Sequence, residues 1–330
     1  MDLSTTYLGL KLQHPIMPGS SPLADDLDTV KRLEDAGAPA IVMHSLFQEQ
    51  IEREALGTLR AVEAAAEMNP EAPEYFPLAH EFSLGPDPYL EHIRKLRRAV
   101  KIPVIASLNG TTNEGWLKHA KLIEQAGATA LELNVYRMAT DSKETGAAVE
   151  QRVLDIVKTV TQSVQIPVAV KLLPFYSSMV NMAARLDEVE ADGLILFNRV
   201  YQPEIDAELL EFAPMIQLTH SSELPLRLRW LAVLSGRVKA SLAASGGVHA
   251  PLDVVKAIMA GAHAVQMVSA LLQKGPLYIR EVREGLVQWM EEHHYDSVQQ
   301  MLGSMSLQRC PDPSAFERGN YARMLQSWRS

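Results

Sequence analysis

Ala126-Gly127-Ala128-Thr129-Ala130-Leu131-Glu132-Leu133-Asn134 is one of four versions of a single phrase in this chain. The others are Ala36-Gly37-Ala38-Pro39-Ala40 leading into Ile41-Val42-Met43, Ala191-Asp192-Gly193 leading into Leu194-Ile195-Leu196-Phe197-Asn198, and Ala260-Gly261-Ala262-His263-Ala264 leading into Val265-Gln266-Met267-Val268. Each follows an amphipathic helical stretch. The glycine is suited to end that helix in a left-handed conformation, and the small residues turn the chain into a short apolar strand. A second phrase fills the gaps: Ile102-Pro103 opens Val104-Ile105-Ala106-Ser107-Leu108, Ile166-Pro167 opens Val168-Ala169-Val170-Lys171-Leu172, and Val238-Lys239 opens Ala240-Ser241-Leu242-Ala243-Ala244. Proline is tolerated at the first residue of a strand. Strands this short and this apolar are typical of a parallel sheet covered on both faces.

With His14-Pro15-Ile16-Met17 there are eight strands, beginning near Pro15, Ala40, Pro103, Ala130, Pro167, Gly193, Ala240 and Ala264. Helices are expected at 27–36, 88–99, 114–126, 147–163, 178–190, 226–235 and 251–260. Strands alternating with helices are βαβ units, and eight of them predict an α/β protein, a single (β/α)₈ TIM barrel. The alternative is an open doubly wound sheet, but the chain has no division into halves. Long loops follow strand two (Leu46 to Asp87) and strand six (Arg199 to Pro225). In a barrel such loops build lids and substrate sites, or serve packing and oligomer contacts. The domain reading is a barrel over 1–300 and a C-terminal helical extension over 301–330 packed on its outside.

Composition narrows the function classes. Of 330 residues, 31 are Lys or Arg and 40 are Asp or Glu, so the net charge is −9 and nucleic acid is a poor ligand. The densest basic run, Arg94-Lys95-Leu96-Arg97-Arg98, reads as the solvated face of a helix. With 47% hydrophobic and 22% charged residues the chain is globular rather than disordered. Its one cysteine, Cys310, cannot form an internal disulfide or an in-chain iron–sulfur cluster. The N-terminus has no signal-peptide pattern and no apolar run reaches membrane-spanning length. The expected location is the cytoplasm. No metal site is expected: His80, His92, His119, His220 and His249 do not pair at ligand spacing, and His293-His294 fall on a peripheral helix.

Barrel chemistry sits at the C-terminal ends of the strands. Those ends read Gly19-Ser20, His44-Ser45, Asn109, Asn134-Val135-Tyr136-Arg137, Lys171, Asn198-Arg199, Gly246-Gly247 and Val268-Ser269. Exposed amides at a glycine turn and a helix start favour phosphate. Gly246-Gly247 after strand seven, with Val268-Ser269 ending strand eight, therefore reads as a phosphate cradle. A lysine inside a barrel mouth needs an anion to pair with. Lys171 would act either as a Schiff-base lysine or as the partner of a reduced flavin.

Together these segments resemble the soluble dihydroorotate dehydrogenases, FMN-containing (β/α)₈ barrels. The resemblance runs from strand one to strand eight and rests on Pro15-Ile16-Met17-Pro18-Gly19-Ser20, Leu131-Glu132-Leu133-Asn134, Pro167 through Leu172, Asn198, Ser245-Gly246-Gly247 and Gly261-Ala262 through Ser269. It implies an oxidoreductase acting on CH–CH groups in pyrimidine metabolism, with FMN as cofactor and a homodimeric assembly. It also implies that Gly246, Gly247, Val268 and Ser269 hold the FMN phosphate and that Lys171 lies near the flavin N1 and O2 edge. Asn109, Asn134 and Asn198 would contact flavin or substrate, and Gly19, Ser20 and Ser45 would line the ring.

The departures concern the substrate. The family continues strand four as Asn-x-Ser-Cys-Pro-Asn, with the cysteine as base. Here Arg137 occupies that slot and Ala139 the second asparagine. A guanidinium stays protonated and cannot act as that base. His44 stands where a lysine is usual, Ser83 where a substrate-binding asparagine is expected, and Arg199 where the family has a small hydroxylated residue. This argues against dihydroorotate itself and for a different small anionic substrate. Arg137 and Arg199 would grip a carboxylate or phosphate, with Ser83 nearby and Tyr136 and His44 exchanging protons. The bland alternative pairs those arginines with acids such as Asp141 or Glu204 at the surface. Two other functions stay open: a flavin-binding electron carrier or regulatory subunit working with a redox partner protein, and a non-redox phosphate-binding aldolase or isomerase.

Overall fold

The computed structural model describes residues 1–47, 87–110, 113–136, 138–199, 204–213, 217–316 and 319–327. An antiparallel hairpin comes first, β1 (Thr5–Tyr7) and β2 (Leu10–Leu12). The barrel units follow: β3 (Ile16–Pro18) and α1 (Leu27–Asp35), β4 (Ile41–Phe47) and α2 (Asp87–Ala99), β5 (Val104–Asn109) and α3 (Asn113–Gln125), β6 (Ala130–Asn134) and α4 (Gly146–Thr161), β7 (Val168–Leu172) and α5 (Met179–Glu188). After β8 (Gly193–Leu196) comes a small hairpin, β9 (Glu204–Asp206) and β10 (Glu211–Ala213), and then α6 (Leu224–Leu234). β11 (Ser241–Ser245), α7 (Pro251–Ala260) and β12 (Ala264–Met267) complete the set. Helices α8 (Ser269–Lys274), α9 (Tyr278–Glu292), α10 (Val298–Met301) and α11 (Gly319–Gln326) end the chain. Every barrel strand starts at the expected residue or one after it.

Eight parallel strands form one sheet in the order β3-β12-β11-β8-β7-β6-β5-β4, and its end strands approach each other so that the barrel nearly closes. The expected single (β/α)₈ barrel is the fold. Outward side chains such as Leu131, Leu133, Val168, Val170, Leu194, Leu242 and Val265 pack under the helices. Inward ones form a separate cluster of Ala40, Val42, Ile105, Ala130, Ala169, Ile195, Ala243 and Ala264. The inward alanines leave room at the barrel floor. Tyr7, Leu8 and Leu12 of the N-terminal hairpin fill it, an element with no counterpart among the eight expected strands. The hairpin turn is Leu8-Gly9, both at positive φ (53° and 71°), the geometry that suits a tight right-twisted hairpin.

Gly37, Gly127 and Gly261 do take positive φ after their helices, as their phrase predicts. Gly193 does not. Glu190 takes the left-handed position there (φ 63°). Gly193 is instead constrained by packing, since a Cβ on it would fall 2.4 Å from Leu8 Cδ2 of the plugging hairpin. The basic run on α2 is solvated as expected, with Arg94, Lys95, Arg97 and Arg98 exposed and Leu96 buried. The loop after strand two falls outside the described residues beyond Phe47, and that after strand six is described at 204–213 and from 217 onward. In the C-terminal segment Gly303 and Met305 donate backbone hydrogen bonds to Ile258 and Met259, and Leu307 to Ala232. No described helix is long and apolar enough to cross a membrane.

His14 shows how the floor is tied together. It is 2% exposed. Its Nε2 donates to Gly37 O (2.6 Å) and its Nδ1 accepts from Ile16 N–H (3.2 Å). Burial pulls its pKa down to about 4, outweighing the Gly37 bond, and the Arg283 charge adds to the fall. The unfolded chain therefore binds a proton between about 6.5 and about 4 that the folded chain refuses. Stability present above about 6.5 is lost as pH falls toward about 4. His14 alone accounts for at most about 3 kcal/mol of this. Thermal unfolding from pH 7.5 to 4 is expected to show a falling Tm, with a shallower fall in H14Q; equal slopes would remove His14 from the account.

Candidate active site

Alternation along each strand sends every second side chain into the barrel. On β6 this places Ala130, Glu132 and Asn134 inward, and on β7 Ala169 and Lys171. The interior thus changes character along its axis, from apolar at the strand starts to charged and amide side chains toward their ends. At mid-height Lys171 Nζ donates to Glu132 Oε1 (2.9 Å) and to Gln266 Oε1 (3.3 Å), while Gln266 Nε2 donates to Glu132 Oε2 (2.7 Å). Glu132 and Gln266 are each 1% exposed and Lys171 7%. Beneath them lies the Tyr7 hydroxyl, without a hydrogen-bond partner among the described residues. Burial raises its pKa well above the usual range and the Glu132 charge adds to this.

Above this floor the rim carries the remaining polar groups. On one side Ser45 and Ser107 share a hydroxyl bond (2.7 Å). Tyr89 from α2 donates to the His44 and Ser107 carbonyls, both at 3.0 Å. His44 is half-buried, hydrogen-bonded to the Asp25 carboxylate and packed edge-on to Tyr89. Asn109 is buried, and Asn198 Nδ2 donates to Asn134 Oδ1 (2.7 Å). Gly19 lets β3 pass close to β12, since a Cβ on it would lie 2.9 Å from Val268 Cγ2. Ser20 beside it is half-buried. Tyr136 lines a cleft of about 470 Å³ beside the mouth, with Glu150, Phe175 and Tyr176.

The opposite corner is built around the glycine turn. Gly246 and Gly247 both take positive φ (84° and 79°). A Cβ on Gly247 would fall 2.6 Å from Leu224 N, so only glycine allows α6 to start so close to the turn. Thr219 donates from both its N–H (3.0 Å) and its hydroxyl (2.9 Å) to Ser269 Oγ, and Gly247 N–H donates to Thr219 Oγ1 (3.4 Å). Val268 ends this rim where α8 begins. Arg227 enters from α6, 7% exposed. Burial pulls its pKa down, the Glu223 carboxylate opposes this, and the positive charge of Arg199 reinforces it. Arg199 is itself exposed and bears on this corner.

The expected site residues that are described lie at the C-terminal ends of the barrel strands, with Lys171 on the floor below the rim and Tyr136 in the cleft beside the mouth. Arg137 and Ser83 lie outside the described residues. Sequence reasoning passed over Glu132, Gln266, Asp25, Tyr89, Thr219 and Arg227. For Glu132 and Gln266 a signal existed. Each interrupts an apolar strand at an inward position, where a polar group needs a partner. The others come from neighbouring loops and helices and carry no such mark.

The ensemble is that of a (β/α)₈ barrel with a buried lysine on the floor of its mouth and a glycine-turn anion corner on the rim. Its chemistry suits a phosphate-bearing ligand. The left-handed glycines bring the turn against the start of α6 and the Arg227 side chain, and Lys171, paired with Glu132, lies beneath a mouth lined by amide groups. Comparison with known proteins identifies the family: the dihydroorotate dehydrogenase profile matches residues 82–290. The chain belongs to the dihydroorotate dehydrogenase family, whose members are oxidoreductases. It is 28% identical to the catalytic subunit of dihydroorotate dehydrogenase B (NAD(+)) of Thermoplasma volcanium, covering 92% of this chain and 98% of that protein. It is 26% identical to the corresponding subunit of Pyrococcus abyssi, over 91% and 98%. It is also 23% identical to the NAD-dependent dihydropyrimidine dehydrogenase subunit PreA of Escherichia coli, over 92% of this chain and 76% of that one.

Removing Glu132 while keeping Lys171 leaves a buried ammonium without its counter-charge. E132A is expected to lose about 3–5 kcal/mol in urea unfolding. The E132A/K171M double variant should recover part of that loss, because the two residues act as one unit. Additive losses would show that the pair is not coupled.

Proposed function

We propose that this chain is an FMN-dependent oxidoreductase that moves hydride between the flavin and a small anionic substrate other than dihydroorotate. The observation that carries this reading is the meeting, at one barrel mouth, of the Gly246-Gly247 turn with buried Lys171. Backbone groups of Gly246, Gly247, Val268 and Ser269 would hold the phosphate. Lys171 would face the flavin edge that becomes negative on reduction. Gly19, Ser20 and Ser45 would line the ring, and Asn109, Asn134 and Asn198 would offer amides to ring or substrate. When bound, FMN supplies the hydride chemistry, and the protein orients and tunes it.

The substrate side rests on different residues. His44, half-buried and held by Asp25, is the side chain best suited to exchange a proton, because an orienting carboxylate fixes the imidazole. Tyr136 is a second donor at the rim. Arg137, in the position the family resemblance gives to a cysteine base, would bind an anionic group and could not abstract a proton. Arg199 and Ser83 complete the proposed anion contacts.

Two of the relatives named above are described as catalytic subunits and the third as a subunit. This supports a redox partner protein for this chain as well. A second copy of the chain is the proposed occupant of the β9–β10 hairpin, where Ile205, Leu209, Leu210 and Phe212 are all more than half exposed. Apolar side chains grouped in this way mark an interaction surface. Light scattering of the purified protein should give a dimer mass, and F212D should shift it toward monomer. A wild-type monomer would remove the dimer.

The decisive test of the flavin reading is the visible absorption spectrum of the purified protein, with the chromophore identified after heat release. Oxidised-flavin bands with stoichiometric FMN are expected, together with no bleaching by dihydroorotate under anaerobic conditions. A colourless protein that takes up no added FMN would overturn the reading in favour of a phosphorylated, non-flavin ligand.

A further inference from the structure

Arg227, the cation set against the glycine turn, takes part in no ion pair among the described residues. Arg227 is more than nine-tenths buried. Burying a guanidinium is costly unless a counter-charge meets it. Its Nε donates to Ser245 O (3.1 Å) and its Nη1 to Glu223 O (2.8 Å), both neutral carbonyls. Glu223, the acid whose charge bears on it, accepts the His220 N–H (3.2 Å) through Oε1. The third arm, Nη2, points at the turn and lies 3.0 Å from the place a Cβ would take on Gly246.

The surroundings match an anion more closely than a neutral group. The positive charge of exposed Arg199 also acts on Arg227. Across the turn stand the Thr219 and Ser269 hydroxyls, with His249 Nε2 3.2 Å from Thr219 Oγ1. The Gly247 N–H is already engaged with Thr219 Oγ1, so backbone amides alone make an incomplete cradle. A buried guanidinium whose hydrogen bonds go to neutral carbonyls, set against a glycine turn with two hydroxyls across it, is suited to meet a doubly charged group.

We propose that Arg227 is the side-chain cation of the anion corner and makes the protein select a phosphorylated ligand over its dephosphorylated counterpart. The inference rests on the flavin reading. In that setting Arg227 decides between FMN and riboflavin, leaving the ring contacts to the other side of the mouth.

The test is titration of apo-protein with FMN and with riboflavin, followed by quenching of flavin fluorescence, for wild type, R227Q and R227K. R227Q should weaken FMN by about 10- to 100-fold, the scale of a lost charged hydrogen bond, and leave riboflavin within about twofold. R227K, which keeps the charge and loses the fork, should fall between. FMN affinity unchanged in R227Q would overturn the proposal, and so would equal weakening of both flavins, which marks a role in shaping the turn only. If R227Q does not fold, the wild-type Nε–H signal of Arg227, assigned by nitrogen-15 NMR through R227K, must move with FMN and stay still with riboflavin. The same movement with both ligands, or with neither, overturns the proposal. Wild-type protein that binds neither flavin overturns the flavin reading and this inference together. Wild type that binds FMN while R227Q behaves identically overturns the inference alone.

Discussion

Glu132, Lys171 and Gln266 form a closed set of hydrogen bonds in the centre of the barrel, and the organisation of the molecule follows from having to bury them. A lysine and a glutamate cannot be placed in an apolar interior singly. They come from adjacent strands, two residues apart in register, and the glutamine reaches them from the other side of the barrel. Below this layer the lining is alanine and branched aliphatic side chains, closed by Tyr7, Leu8 and Leu12 of the hairpin. Above it the lining is serine and asparagine. The network is the boundary between a barrel half that only needs to be filled and a half that can bind.

The two sides of the mouth do different work. The β8–β11–β12 side presents left-handed glycines, two hydroxyls and a buried guanidinium, all groups that meet negative charge. The β3–β6 side presents an imidazole held by a carboxylate, a serine pair tied down by Tyr89, and amides. Membership in the dihydroorotate dehydrogenase family accounts for the barrel and for the order of these features along the chain. It does not account for Arg137, His44 and Arg199, which differ in charge or proton-transfer capacity from what the family resemblance leads one to expect at those positions. The chemical individuality of this chain is concentrated in the residues that the proposed function assigns to the substrate.

Much of this was legible in the residues. The repeated Ala-Gly-Ala phrase marked the end of a helix and the start of a strand, and Gly37, Gly127 and Gly261 have the backbone conformation it requires. Pro103 and Pro167 marked strand starts because proline lacks the N–H that a ladder would use. Gly193 shows the limit of such reading. Its phrase looked the same, but the residue is small because Leu8, far away in sequence, packs against it. The N-terminal hairpin was missed for a related reason. Three-residue strands carry too little periodicity to register, and their role is visible only once the space between the alanines is known.

By itself, then, the sequence determined the number and order of the barrel strands, the strand ends at which polar residues collect, and the residue types available there. These are local properties, set by turn geometry, alternation and the cost of placing charge in an apolar strand. Tertiary structure alone decided which of those residues meet. It paired Lys171 with Glu132 rather than leaving it free, gave His44 its Asp25, joined Thr219 to Ser269, and brought Arg227 from a helix to the edge of the glycine turn. Such contacts depend on barrel curvature and on how closely each helix can approach, and no spacing along the chain encodes them.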